Sequence, residues 1–224
     1  MDMQKSLTVT ELFDLTHTIA APLLEKCTYP WEALKDIGAF IRETGAALPA
    51  DEYACPQPDV WIHRTATVFP SAYIAAPCII GPNAEVRHCA FIRGNALIGA
   101  GCVVGNSTEL KNVILFDDVQ VPHYNYVGDS ILGYKAHMGA GAITSNVKSD
   151  KQHVVIHGRE GDIATGIKKV GAMLGDHAEI GCGSVLNPGT VIGKNASVYP
   201  LSSVRGEVPE GHIFKDKDHI IPRK

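Results

Sequence analysis

No stretch of this 224-residue sequence approaches the roughly 18 apolar residues that a membrane-crossing helix requires, and nothing at the Met1 end reads as a signal peptide. Dense basic runs are missing as well. With 20 Lys and Arg against 24 Asp and Glu, the formal charge of -4 gives no general pull toward nucleic acid. Neither a membrane nor a nucleic acid is therefore expected as a partner. Metal-ligand spacing is also lacking: Cys27, Cys55, Cys89 and Cys182 form no CxxC or similar pair. Cys78 and Cys102 fall where Ala is otherwise usual, which reads as small core filling. Six cysteines in a chain of this length are not the disulfide framework of a short secreted domain. They indicate a reducing compartment, and the cytoplasm is the expected location.

What the sequence does contain is a period of six. A branched aliphatic recurs at Ile62, Val68, Ile74, Ile80, Val86, Ile92, Ile98, Val104 and Leu110, and again at Leu174, Ile180, Leu186, Ile192, Val198 and Val204. A helix repeats every 3.6 residues and an exposed strand every two, so neither alone gives this period. From Val68 on, the residue two before each aliphatic is small: Ala66, Ala72, Cys78, Ala84, Ala90, Ala96, Cys102 and Thr108, then Ala172, Ala178, Ser184, Thr190, Ala196 and Ser202. Large aliphatics fill a narrow core and small residues fill its corners. The fold class expected is an all-β solenoid, a parallel β-helix of hexapeptide repeats.

Residues 1–58 have a different texture and are expected to form a short helical cap. Thr8 or Thr10 is placed to cap a helix through Glu11-Leu12-Phe13, and Ala20 to Glu25 looks helical. Pro30 opens a helical pattern from Trp31 to Ile41 that should stop before Gly45. Covering the exposed edges of the first coil is the plain role for these helices, with a recruitment or regulatory module as the alternative. The solenoid should occupy 59–210, followed by a tail at 211–224. Its phase breaks after Met138, and an arm of about 147–171, with hairpin character near Val154 to Val170, should leave the coils.

Three hexapeptides close one triangular coil, so residues 18 apart stack at about one strand spacing, ~4.8 Å. Arg93 and Lys111 are such a pair, each directly after its core aliphatic, where Gly stands at 81, 99 and 105. Two stacked cations are unfavourable without an anion. On spacing alone they are either a phosphate clamp, planar fork beside compact ammonium, or two solvated surface charges.

From Gly105 the chain reads Gly105-Asn106-Ser107-Thr108-Glu109-Leu110-Lys111, then Pro122-His123-Tyr124-Asn125-Tyr126-Val127-Gly128-Asp129, then Gly139-Ala140-Gly141-Ala142-Ile143-Thr144-Ser145-Asn146. Together with the repeats this resembles the acetyltransferase domain of the bifunctional N-acetylglucosamine-1-phosphate uridylyltransferase/glucosamine-1-phosphate N-acetyltransferases, over roughly residues 60–205 and without a gap from Arg93 to Asn146. The resemblance implies a left-handed, homotrimeric β-helix and an acyltransferase. It implies acetyl-CoA as acyl donor, an amino-sugar phosphate as small-molecule partner, and no metal requirement for the transfer. It places His123 as general base, Glu109 as the supporting acid and Asn146 as the amide that orients the amine. Arg93, Lys111, Tyr126 and His137 fall among the substrate contacts, Ala140 and Cys182 among the coenzyme contacts. Lys168 and Lys169 in the arm are counted with the coenzyme as a phosphate contact, although a solvated charge pair fits them equally well.

The chemistry is coherent. Histidine titrates near ~6.5 and can take a proton from an attacking amine at neutral pH. Backbone N–H groups near Gly139-Ala140 could hold the oxyanion, and direct transfer needs no acyl-enzyme. This chain departs from the family's pattern at several points. His137 replaces an Asn, Val147 a Tyr and Ser145 a Cys, while Lys148 and Lys151 are offset candidates for a later phosphate-binding Lys. The uridylyltransferase domain has no counterpart. Two other classes compete. One is a zinc protein like the γ-type carbonic anhydrases, for which His123, His137, His153 and His157 lie in the right half of the chain. The other is a non-catalytic relative that binds a nucleotide sugar or serves as an assembly subunit.

Overall fold

The computed structural model describes residues 4–223. From Val60 onward it is a parallel β-solenoid with three faces. The first face stacks Val60–His63, Cys78–Ile80 and Ala96–Ile98, then the second halves of Glu109–Leu115 and Tyr126–Leu132, then Ala172–Leu174, Thr190–Ile192 and Glu207–Val208. The second runs from Thr67–Val68 through Val103–Asn106, Gln120–His123 and His137–Met138 to Ser197–Val198 and His212–Asp216. The third carries Tyr73–Ile74, Phe91–Ile92, the first halves of Glu109–Leu115 and Tyr126–Leu132, Ile143–Thr144, Val185–Leu186 and Ser203–Val204. Ile80, Val86, Ile92, Ile98, Val104 and Leu110 are buried in the core, and Cys78 and Cys102 fill two of its small corners at zero exposure. Among the described residues, no helix is long and apolar enough to cross a membrane.

The spacing is less regular than a strict six. Ile62, Ile80 and Ile98 pair in steps of 18, but Ile98 pairs with Leu115 and Leu115 with Leu132, steps of 17. One residue is missing from the corner between the third and first faces in both coils. Steps of 18 return at Leu174 and Ile192.

The N-terminal helices lie along the first face instead of across the open end of the first coil. Short helical segments at Val9–Leu12, Ala21–Leu24 and Pro30–Lys35 precede one helix, Ile37–Ala46. They run from the arm back to the first coil. Gln4 donates to the Gly161 carbonyl, Asp176 Oδ2 accepts from the Asp14 N–H at 2.7 Å, Phe13 packs 5.0 Å from Phe116, and Gly45 meets the Trp61 ring. The physical reason is in the strands. The middle residues of the first face, Ile79, Leu97, Ile114, Ile131, Met173 and Val191, alternate outward from the core aliphatics, yet each is at most 1% exposed. Burying such side chains stabilises the fold by about 1.5–3 kcal/mol each, so this face needs a cover as well as a core. The helix continues through Gly45 instead of stopping before it, and Gly45 serves there as a packing residue, since a Cβ would collide with Trp61. Thr8 holds the cap position of Val9–Leu12, but its hydroxyl donates to the Lys5 carbonyl at 2.9 Å and caps no helical N–H.

At the other end, His212–Asp216 continues the second face and His219–Pro222 folds back on it antiparallel, so the segment after 210 completes the solenoid and is not a separate tail. The arm contains an antiparallel hairpin, Val155–Gly158 with Gly161–Ala164.

Candidate active site

The two shortened corners shape a polar cluster. Where Arg93-Gly94-Asn95 turns the earlier coil, Lys111-Asn112 and Gly128-Asp129 must turn with one residue fewer. Strands Glu109–Leu115 and Tyr126–Leu132 therefore run through the bend, with Asn112 (φ 56°) and Asp129 (φ 48°) in the left-handed region that Asn and Asp tolerate. Asp129 is 4% exposed, and its carboxylate is fully engaged. Lys111 Nζ donates to both oxygens at 3.0 Å, Asn112 Nδ2 to Oδ1 at 3.0 Å, and Asn146 Nδ2 to Oδ2. The Asn146 nitrogen also meets the Tyr126 hydroxyl at 3.3 Å. A Cβ at Gly128 would lie 2.5 Å from the Tyr126 hydroxyl and 2.9 Å from Asn146 Nδ2, so any larger residue would displace both side-chain ends. Burial, then the carboxylates of Asp129 and Glu109, push the Tyr126 phenol upward.

Arg93 stacks beside Lys111, its N–H donating to the Leu110 carbonyl at 2.8 Å. Its guanidinium bonds Glu109 Oε1 at 2.7 Å and stands 6.0 Å from the Phe91 ring centroid. The Glu109 hydrogen bond raises its pKa further. The repulsion expected of two stacked cations is thus offset within the chain, Arg93 by Glu109 and Lys111 by Asp129.

His123 sits at the opposite corner of the same face. Asn125, buried at 2% exposure, ties that corner together. Its Oδ1 accepts the His123 N–H at 3.1 Å, and its Nδ2 donates to the carbonyls of Gly139 and Ala142 at 2.8 and 3.0 Å. Gly141 N–H returns a bond to the His123 carbonyl at 3.0 Å. Ala140 is exposed there, and Cys182 follows in the next coil, linked through Gly183 N–H to the Ala140 carbonyl at 2.8 Å. Among the described residues, neither the His123 ring nor the Ala140 N–H has a hydrogen-bond partner. Tyr124, 66% exposed with φ 52°, projects beside them.

The other expected residues lie elsewhere. His137 is on the second face, with Nδ1 2.9 Å from Glu179. Lys168 and Lys169 are exposed at the end of the arm, where Lys169 bridges Val147. Lys148 pairs with Asp150 at 3.1 Å, and His157 with Asp162 at 2.8 Å in the hairpin. His123, His137 and His157 therefore occupy three different elements. A cavity of about 430 Å³ lies just beyond Asn146, between the arm and the corner at Asn187 and Arg205. A larger one of about 520 Å³ lies between the N-terminal segment and the last coils, remote from this face. Asp129, Asn112 and Asn125 received no role from the sequence. Asn125 carried a usable signal: it is a large polar residue in a corner position that Thr108 and Ala142 also occupy.

The GMPPB C-terminal domain family matches residues 74–168. A bifunctional sugar-1-phosphate nucleotidylyltransferase/acetyltransferase of Sulfurisphaera tokodaii is 32% identical over 106 residues, covering 47% of this chain and 26% of that protein. The bifunctional protein GlmU of Methanococcus maripaludis strain C5 is 28% identical over 136 residues, covering 60% of this chain and 33% of the relative. Among solved structures, the acetyltransferase domain of PglB from Neisseria gonorrhoeae FA1090, in complex with acetyl coenzyme A, aligns with a TM-score of 0.35 and 20% identity over 82% of this chain and 64% of that one. The chain thus spans about a quarter to a third of the length of the first two relatives. Over these stretches the chain is similar to GlmU-type bifunctional nucleotidylyltransferase/acetyltransferases.

Proposed function

We propose that this protein is an acetyl-CoA-dependent acetyltransferase acting on an amino-sugar phosphate, glucosamine-1-phosphate or a nucleotide-linked relative of it. The observation that carries the reading is the corner where Asn125 ties the backbone of His123 to the turn bearing Ala140, with neither the His123 imidazole nor the Ala140 N–H partnered among the described residues. A base and an oxyanion donor are the two groups that amine attack on a thioester needs. The kinship with the GlmU-type enzymes supports the same chemistry.

In this reading the amine lone pair attacks the thioester carbonyl and His123 accepts the proton that the amine loses. Charge develops on the carbonyl oxygen, which the Ala140 N–H meets, and the thiolate of coenzyme A leaves. Asn146 accepts a hydrogen bond from the amine at the same corner of the face where Arg93 and Lys111 meet the acceptor's phosphate, so the His123 that serves this amine is supplied across the face by a neighbouring copy. Ala140 and Cys182 line the donor's side. The site lies on open surface, consistent with a neighbouring copy completing it in the expected homotrimer. His137, Lys168 and Lys169 would contribute only from such a copy or from a differently placed arm.

The test is release of free coenzyme A thiol from acetyl-CoA. Release that depends on glucosamine-1-phosphate or on an aminated nucleotide sugar is expected. Acetyl-CoA binding with no release for any amino sugar would favour the non-catalytic reading, and no binding of either would end the transferase assignment.

A further inference from the structure

We infer that Asp129 is a positioning residue that fixes the orientation of the Asn146 amide and so makes the site selective for a primary amine. The inference rests on the acetyl-transfer reading above and assigns a role to a residue that reading leaves unused. A carboxylate only accepts hydrogen bonds, so the Asn146 atom facing Asp129 Oδ2 is the nitrogen. That nitrogen also meets the Tyr126 hydroxyl. Its donor side is therefore committed inward, and the carbonyl oxygen, which has no partner among the described residues, is presented to the acceptor.

An outward oxygen recognises a donor. A neutral primary amine has two N–H groups, one for Asn146 and one for a base, with its lone pair left for attack; because His123 stands at the opposite corner of the face, that base is the His123 of a neighbouring copy. A hydroxyl has one O–H and cannot serve both. The setting of Asp129 is suited to holding this arrangement. It is 4% exposed, its charge is matched by Lys111, and its four hydrogen bonds use both oxygens. The shortened corner places it in line with Asn112 below. An isosteric amide has one oxygen where two are needed, so Lys111 and Asn146 would compete for it.

The test is Asp129→Asn beside the swapped double variant Asp129→Asn/Asn146→Asp, in which a carboxylate again faces an amide and an oxygen again faces out. Expected for the single variant is a fall of about 10- to 100-fold in kcat/KM for the amino acceptor, with the KM for acetyl-CoA within about twofold. Preference for the amine over the matching hydroxyl sugar should shrink, and the swap should recover part of both. A single variant within about twofold of the parent, or one whose loss tracks only the loss of folded protein, overturns the role; so does a swap no better than the single variant. If the parent acetylates nothing, the function assignment fails separately, and the inference is then read from the Asn146 side-chain amide protons by NMR. Slow exchange in the parent that is lost in Asp129→Asn supports the orientation, and identical exchange overturns it.

Discussion

Cys78 and Cys102 occupy corners that Ala fills at positions 84, 90 and 96, and their thiols are wholly buried. Burial pushes the Cys78 thiol up from its ordinary 9.0 to about 12, and Cys102 is raised for the same reason. A folded-state pKa above the unfolded value means that the stabilisation is complete below pH 9 and is lost as pH rises toward 12. Each thiol should cost about 1.4 kcal/mol per pH unit across that window. Melting temperatures measured from pH 8 to 11 should fall steeply for the parent and less steeply for Cys78→Ala/Cys102→Ala. Parallel curves would refute the account. At this scale the sequence revealed much: the core aliphatics, the small corners and the stacking of Arg93 on Lys111 are where the repeat places them. Asp129 and Asn112 escaped it because they lie where the repeat loses a residue, and a search for period six treats such a corner as noise.

The elements show the same division. Helices are legible at Glu11-Leu12-Phe13, at Ala20 to Glu25 and from Trp31 to Ile41, but their location is not, because the period identifies only the inward residue of each strand. The outward row on the first face, Ile79, Leu97, Ile114 and Ile131, is equally apolar, and a strand apolar on both sides demands cover on both sides. Phe13 is 3% exposed and packs on Phe116. Phe13→Ala should therefore destabilise the protein by about 3–5 kcal/mol in denaturant unfolding, and a cost under about 1 kcal/mol would mean that the segment is loosely held. Deleting residues 1–50 should expose the row and give aggregation of the solenoid. A soluble, monodisperse solenoid after that deletion would contradict the account.

For the whole molecule, the N-terminal segment crosses from the arm to the first coil, so it joins coils that would otherwise contact only their neighbours. It also leaves only the second and third faces open. The third face carries Tyr73, 61% exposed, its ring tilted against that of Phe91 at 5.6 Å. If copies meet across this face to complete the site, sedimentation should show a trimer that Tyr73→Ser/Phe91→Ser weakens. An unchanged assembly would move the contact to the second face.

The most direct test is the His123→Ala variant in the coenzyme A release assay, run beside a thermal melt. His123 is exposed and its ring is unpartnered among the described residues, so the substitution removes chemistry and little packing. The account predicts a loss of about 10²–10⁴ in kcat with an unchanged melting temperature. Full turnover by the folded variant would contradict it.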